Sequence, residues 1–369
     1  MIDPSIVTHE SEIYRNLVSQ HVSEDRTDFA ILATADRLKD YSARHMTGVV
    51  GDGLAYLQMI RDGYEWFDHF ENLPLTGSSG TARSPDFVFS RRDDLSVAIS
   101  ESKATRGSSK ERFGQTVSKA YTEQVSPYLG LKLGSSVASH GFAIGSYLTS
   151  NLRGELFIHH TETVDNPGRL DGGGDPSAVR RGNYINILSL LMGPEASRSM
   201  RSGSLSVRDR TVLTTRWLGR EWLLGYTGRY GDYHWDDIDE FFWLRRRRLP
   251  WRAAGFSRFA LDLEVATIAF RALERPEQEK ELLNNIPEMP SRLAEEAKQN
   301  GGAIFPDGFA VLADDPLPER IVIRSIDLDS AEVEAADEVE AQPEELRVQQ
   351  YVGPDVEEEH QLVRLQLKE

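Results

Sequence analysis

Three consecutive pieces decide how the chain is read: Ser84-Pro85-Asp86-Phe87-Val88-Phe89, the turn-like Arg91-Arg92-Asp93-Asp94, and Leu95-Ser96-Val97-Ala98-Ile99-Ser100-Glu101-Ser102-Lys103. Two apolar runs flank a polar loop, which predicts a β-hairpin. Side chains of a strand alternate between faces, and residues paired directly across an antiparallel ladder share a face. Glu101 and Lys103 therefore project to the same side. An even-length loop centred on Arg92 and Asp93 puts Asp86 opposite Ile99, on the face of Glu101 and one diagonal step from it, a Cα separation of roughly 7 to 8 Å. Two carboxylates can close that gap around one ion at ligand distances of about 2.0 to 2.1 Å for magnesium. An odd loop or a bulge would change the parity.

Residues of these types suit phosphodiester hydrolysis, which needs charge neutralised on the phosphate and a water made nucleophilic near neutral pH. A carboxylate-held divalent ion supplies both. Lys103 beside it can orient the water or stabilise developing negative charge. Taken separately, a Pro-Asp before a strand is ordinarily a turn, and a Glu two residues before a Lys is ordinarily a solvated strand face.

The segment resembles the PD-(D/E)xK nuclease superfamily, over about a third of the chain. The resemblance implies a restriction-endonuclease-like core, a mixed sheet flanked by helices, and so an α/β (α+β) fold class. It implies that Asp86 and Glu101 bind Mg2+, with Mn2+ as a substitute, that the Ser102 carbonyl assists, and that Lys103 serves the attacking water. In this family an extra acid commonly sits on the helix before the first strand. Here that candidate is Asp52, in the Gly51-Asp52-Gly53 start of a helix with Leu54, Leu57 and Ile60 at three-residue spacing and Met59 beside them.

A second helical pattern follows Lys103, from about Ser109 to Val125. Related nucleases of the RecB-like branch carry Gln-x-x-x-Tyr there, and Gln124 to Tyr128 matches it. Pro127 departs from the pattern: it biases Ser126 away from helical dihedrals and predicts that the helix ends there. Gln115 competes with Gln124, but nine residues at about 100° each put the two on opposite faces of an ideal helix. Gln124 is the favoured choice.

The resemblance implies a metal-dependent nuclease acting on DNA, similar to prokaryotic restriction or phage-defence effectors, with a homodimer or a partner protein of a defence system as companion. The rival expectation is a catalytically inactive nuclease fold kept as a nucleic-acid-binding or assembly subunit. Arg106 and Arg245, Arg246, Arg247 and Arg248 are the nucleic-acid-binding candidates. The four adjacent arginines lie between Phe241-Phe242-Trp243 and Trp251, a setting that can grip phosphates and stack bases. The competing reading is a solvated helix balanced by Asp236, Asp237, Asp239 and Glu240.

At 369 residues, 39% hydrophobic, with six Trp, the chain is long enough for two domains or one decorated domain. Zero cysteines exclude disulfides and cysteine zinc sites. No apolar run approaches the roughly eighteen or more residues of a membrane span, and Met1-Ile2-Asp3-Pro4 opens no signal peptide; the expectation is a cytoplasmic protein with no membrane partner. The net charge of −17 is uneven: residues 327–369 hold fourteen acidic and three basic side chains, so −11 lies there and −6 in the rest. The segment 327–369 is expected to be an acidic tail, disordered or loosely helical.

Residues 1–44 read as an N-terminal helical segment, 45–165 as the nuclease core, and 183–326 as an α+β accessory region, with the Gly-, Pro- and Asp-rich stretch 165–182 as boundary. Gly141 to Leu148 and Glu155 to His159 predict strands completing the sheet. Tyr184 to Met192 predicts an apolar helix, Val212 to Tyr226 a hairpin turned at Leu218-Gly219-Arg220, and Ile304 to Val311 another around Asp307-Gly308. Ile321 to Ile323 predicts a further strand. His159 and His160 are adjacent on a strand and point to opposite faces. No Gly-Lys-Ser/Thr phosphate loop is present.

Overall fold

The expected hairpin forms, with its loop centred one residue later than the sequence expectation and its pairing therefore shifted by two. In the structure, a computed structural model describing residues 14, 18–23, 29–76, 83–107, 109–149, 154–162, 174–192, 200–201, 209–226, 256–312, 320–327 and 333–340, helix α1 (Asp40–Arg61) leads to β1 (Trp66–His69), β2 (Leu75–Thr76), β3 (Phe87–Ser90) and β4 (Val97–Thr105). β3 pairs antiparallel with β4 through Phe87–Ser100, Val88–Ile99 and Phe89–Ala98. The loop is even, as expected, but centred on Asp93 and Asp94. Asp86 thus comes level with Glu101 rather than Ile99, one step closer than anticipated.

Helix α2 (Lys110–Ala120) continues as a π turn (Tyr121–Val125) and a 3-10 turn (Ser126–Tyr128), then β5 (Lys132–Leu133), β6 (Ser136–Tyr147) and β7 (Glu155–Glu162). β6 runs parallel to β4 and antiparallel to β5 and β7, giving a curled mixed sheet in the order β1-β3-β4-β6-β5-β2, with β7 also on β6. Alternation along β4 divides its neighbours cleanly. Val97 and Ile99 pack with Phe113 and Val117 of α2, whereas Ala98 packs with Ala55 and Met59 of α1.

The helix before the hairpin is longer than expected. Gly51-Asp52-Gly53 lies inside α1, not at its start, because a Cβ at Gly51 would collide with that of Ala104 on β4: glycine marks a close helix–strand approach. The buried stripe of α1 is Met46, Val50, Ala55 and Met59, and Leu57 is exposed. Leu95 is exposed too, one turn residue short of the buried strand.

Helix α3 (Ser177–Met192) follows, then β8 (Asp209–Trp217), β9 (Arg220–Tyr226), β10 (Phe256–Asp262), α4 (Leu263–Glu274), α5 (Glu279–Asn284), α6 (Ser291–Gln299), β11 (Ala303–Ile304), β12 (Phe309–Val311), β13 (Arg320–Asp327) and β14 (Val333–Glu340). Among the described residues these strands form a second sheet, ordered β11-β12-β10-β9-β8-β13-β14. Leu218 (φ 50°) and Gly219 (φ 75°) turn the β8–β9 hairpin with both central residues left-handed, the geometry of a type I′ turn. The turn at Asp307-Gly308 joins β11 to β12, with Gly308 at φ 86°. Acidic residues 333–340 were expected to be disordered or helical. They form strand β14 instead, because pairing with β13 satisfies their backbone.

The chain is therefore an α+β protein with two helix-flanked sheets. Trp66 of β1 belongs to the same core cluster as Trp222, Leu223, Leu261 and Phe270 of the second half, with Tyr184, Leu188 and Leu191 of α3 between them. Among the described residues no helix is long and apolar enough to cross a membrane.

Candidate functional site

The C-terminal half of β4 carries the site. Glu101 is 2% exposed, midway along β4, and the four strand residues before it are buried. Its Oε1 accepts from both Lys103 Nζ and Gln124 Nε2. Its Oε2 is buried and makes no hydrogen bond. Burial pushes the Glu101 carboxyl up to about 7, the neighbouring Asp86 adds to the rise, and Lys103 opposes it. Lys103 Nζ also donates to the Ser102 carbonyl, at 3.1 Å.

Asp86 stands at the head of β3, exposed to solvent. Its Oδ2 accepts from the Ser102 backbone N–H at 2.9 Å, its own N–H donates to the Ser100 carbonyl at 3.1 Å, and its carbonyl accepts from Phe70 N–H at 3.2 Å. β4 and the 3-10 turn after β1 thus fix its backbone, and the β4 amide holds its carboxylate.

Gln124 reaches Glu101 because α2 lies unusually close to the sheet and then widens. β6 presents Gly141, Ala143 and Gly145 to the helix, and a Cβ at Gly141 would approach Val125 Cγ1 to 2.7 Å, while one at Gly145 would strike Val117. The π turn then inserts one residue, so that Tyr121, Val125 and Tyr128 continue the buried face and Gln124 falls at its edge beside Glu101. Gln115 is exposed. Pro127 does not end the helical path at Ser126, whose φ −53° and ψ −38° are helical: Pro127 opens the 3-10 turn, where its missing N–H is no loss. Tyr128 packs on Phe70, with ring centroids 4.8 Å apart, as part of the core.

Asp52 approaches from the opposite face of the sheet, the side of Ser102 and Ala104. Partial burial raises its pKa most, the Ser102 side chain lowers it, and Asp86 and Lys103 act on it through space. The Ser102 hydroxyl nevertheless makes no regular hydrogen bond. Among the described residues no three His, Asp or Glu side chains gather as a metal-holding group. The oxygen set brought together is two carboxylates, Asp86 and Glu101, and the Ser102 carbonyl; Asp52, expected as a further ligand, is a flanking charge.

Arg106, a nucleic-acid candidate from sequence, is turned inward: it donates to the Ala35 carbonyl at 2.8 Å and pairs with Asp36 at 2.7 Å. Arg245, Arg246, Arg247 and Arg248 lie outside the described residues. His159 stacks on Tyr121 and His160 on Phe142, on opposite faces of β7. Sequence reading missed the buried cluster of Asp68, Asn72 and Asn186. The signal available was the pair of amides Asn183 and Asn186 among the apolar residues Tyr184, Ile185, Ile187 and Leu188. No family model, no curated protein and no solved structure matches the chain.

Proposed function

We propose that the chain is a metal-dependent nuclease with a restriction-endonuclease-like core, hydrolysing phosphodiester bonds in DNA. One observation carries the reading: Asp86, Glu101 and Lys103, with Gln124 beside them, meet at one end of β4. The order α1, hairpin, Glu-x-Lys strand, α2, parallel strand agrees with it.

The residues fit a hard divalent cation such as Mg2+ or Mn2+. The donors are all oxygen, and Glu101 keeps a buried oxygen without a hydrogen-bond partner. Asp86, Glu101 and the Ser102 carbonyl would hold the ion, which supplies neutralisation of phosphate charge and a more acidic bound water. Lys103 orients the attacking water and offsets negative charge growing on the phosphate. Gln124 fixes the rotamer of Glu101, and Ser102 N–H fixes that of Asp86. One such site cuts one strand, so cleavage of a duplex calls for a pair of sites, as in a homodimer or a complex with a partner protein of a defence system.

The test is incubation of purified protein with linear, circular and single-stranded DNA and with RNA, in Mg2+, Mn2+ or chelator. Metal-dependent cutting that disappears in Lys103→Ala, with the thermal melt unchanged, is the expected result. Cutting at the parent rate by Lys103→Ala would sink the assignment.

A further inference from the structure

We propose that Asp68, held by Asn186 of α3, is a positioning residue for Asp86, so that the second half of the molecule sets the geometry of the candidate site. This rests on the reading of Asp86 and Glu101 as metal-holding acids. Asp68 is 2% exposed. Its Oδ1 accepts from three neutral donors, His69 N–H at 2.8 Å, Asn72 Nδ2 at 2.7 Å and Asn186 Nδ2 at 3.0 Å, and among the described residues it makes no ion pair. A buried carboxylate without a cation is costly unless its hydrogen bonds are good, so its donors constrain it tightly.

Those donors bracket one short turn. His69 and Asn72 enclose Phe70 to Asn72, a 3-10 turn whose first N–H, that of Phe70, donates to the Asp86 carbonyl at 3.2 Å. The chain of contact runs from Asn186 to Asp68, through the turn, to the backbone of Asp86. Gly182 closes the other side, since any side chain there would overlap the Asp68 carboxylate.

Helix α3 reads β1 residue by residue along this edge. Arg180 lies over the Trp66 ring at 4.3 Å, the Tyr184 hydroxyl accepts from Trp66 Nε1 at 2.9 Å, and Asn183 Oδ1 accepts from Phe67 N–H at 3.2 Å. The opposite face of α3 is buried in the second-half core. Arg180 also donates to the carbonyls of Arg91 and Arg92 at the far end of the catalytic hairpin, at 3.0 and 3.3 Å. The helix therefore grips both ends of the hairpin framework.

The variant Asn186→Asp, which sets a second carboxylate against Asp68, is compared with Arg220→Ala, which breaks a buried carboxylate's ion pair elsewhere in the second half. Three quantities are read: amide exchange at Phe70, Mn2+ affinity by calorimetry, and cleavage with kcat and KM separated. Asn186→Asp is expected to speed Phe70 exchange and to weaken Mn2+ affinity and kcat by about 10- to 100-fold, the usual effect of disturbing a ligand's support, with little change in KM. Arg220→Ala is expected to leave all three at parent values. Parent-like exchange and Mn2+ affinity in Asn186→Asp, or equal losses in both variants, would overturn the proposal. Should the parent neither bind Mn2+ nor cut DNA, the nuclease reading fails, and Phe70 exchange alone still decides whether Asn186 governs the Asp86 backbone. Should Asn186→Asp not fold, Asn186→Ala, which removes one donor and adds no charge, gives the same readings.

Discussion

Two buried carboxylates lie on central strands in this molecule, one in each sheet, and they are partnered in opposite ways. Asp262, at the end of β10, is 1% exposed and fully engaged: Arg220 Nε donates to Oδ2 at 2.6 Å, and the Glu264 and Val265 N–H groups donate to Oδ1 at 3.1 and 3.2 Å, capping α4. Glu101, equally buried, has both its donors on one oxygen and none on the other. Burial with complete partners is structure. Burial that leaves a charged group short of partners is tolerated when something else maintains it, and under the nuclease proposal that is catalysis.

The sharpest break in that comparison is isosteric neutralisation of Glu101. Glu101→Gln keeps the shape and the Gln124 contact but removes the charge, so metal-dependent cleavage should fall by at least about 100-fold, the scale of losing one key electrostatic group. The fold should not suffer, since a desolvated charge is removed. Lys103, one-third exposed, can turn to water. A thermal melt without metal, matched to or above the parent, checks the second half of the claim; a loss of several degrees would mean that Glu101 is structural after all.

A third buried carboxylate tests the same logic through pH. Asp307 accepts from Asn183 Nδ2 at 3.0 Å and from Phe309 N–H at 3.0 Å, but burial outweighs these bonds and raises its pKa to about 6. A carboxyl whose pKa is higher folded than unfolded binds its proton more tightly in the native state. Its contribution is fully present below about pH 4 and is lost as pH rises through 6, a difference of about 3 kcal/mol across the window. Urea melts at pH 4.5 and 7 should show a slope of this sign in the parent and one smaller by about that amount in Asp307→Asn, where the raised Glu101 carboxyl still contributes. A parent-like slope in the variant would assign it to other groups.

Asp262→Asn is the smaller counterpart. It converts the charge-assisted bond from Arg220 to a neutral one while asparagine still caps α4, so stability should drop by about 1 kcal/mol and cleavage should not change. Lost cleavage at unchanged stability would erase the distinction between the two buried acids.

How much of this was legible depended on range. The shared face of Asp86, Glu101 and Lys103 follows from strand alternation, and the choice of Gln124 from the Gln-x-x-x-Tyr resemblance, with helical geometry excluding only that Gln115 shares its face, both short-range patterns. The hairpin loop moved by one residue, and the pairing by two, because Asp93 and Asp94 do not dictate a turn as Leu218-Gly219 does. The π turn that carries Gln124 to the site depends on glycines of β6, whose pairing with β4 no short pattern reveals. The link from Asn186 to Asp68 joins residues separated by 118 positions and exists only once α3 lies on β1. The interior position of Gly51-Asp52-Gly53 was missed for a related reason: in sequence, paired glycines resemble a helix boundary, and only the Ala104 contact explains the first of them.

Those two glycines offer the finest contrast, on either side of Asp52. Gly53 has nothing within 4 Å of a Cβ, so Gly53→Ala replaces a helix-interior glycine at no steric cost and should stabilise by about 0.5 to 1 kcal/mol. Gly51→Ala gains the same helical preference, but its methyl collides with the Ala104 Cβ, backed by the rigid Glu-x-Lys strand. Overpacking of this kind costs about 1 to 3 kcal/mol, so the net effect should be destabilising. It also pushes β4 where Ser102 and Lys103 lie, so cleavage should fall in Gly51→Ala and hold in Gly53→Ala. Equal melts for the two variants would show that α1 can slide away from β4, and that the approach of Asp52 to the site is not fixed by glycine.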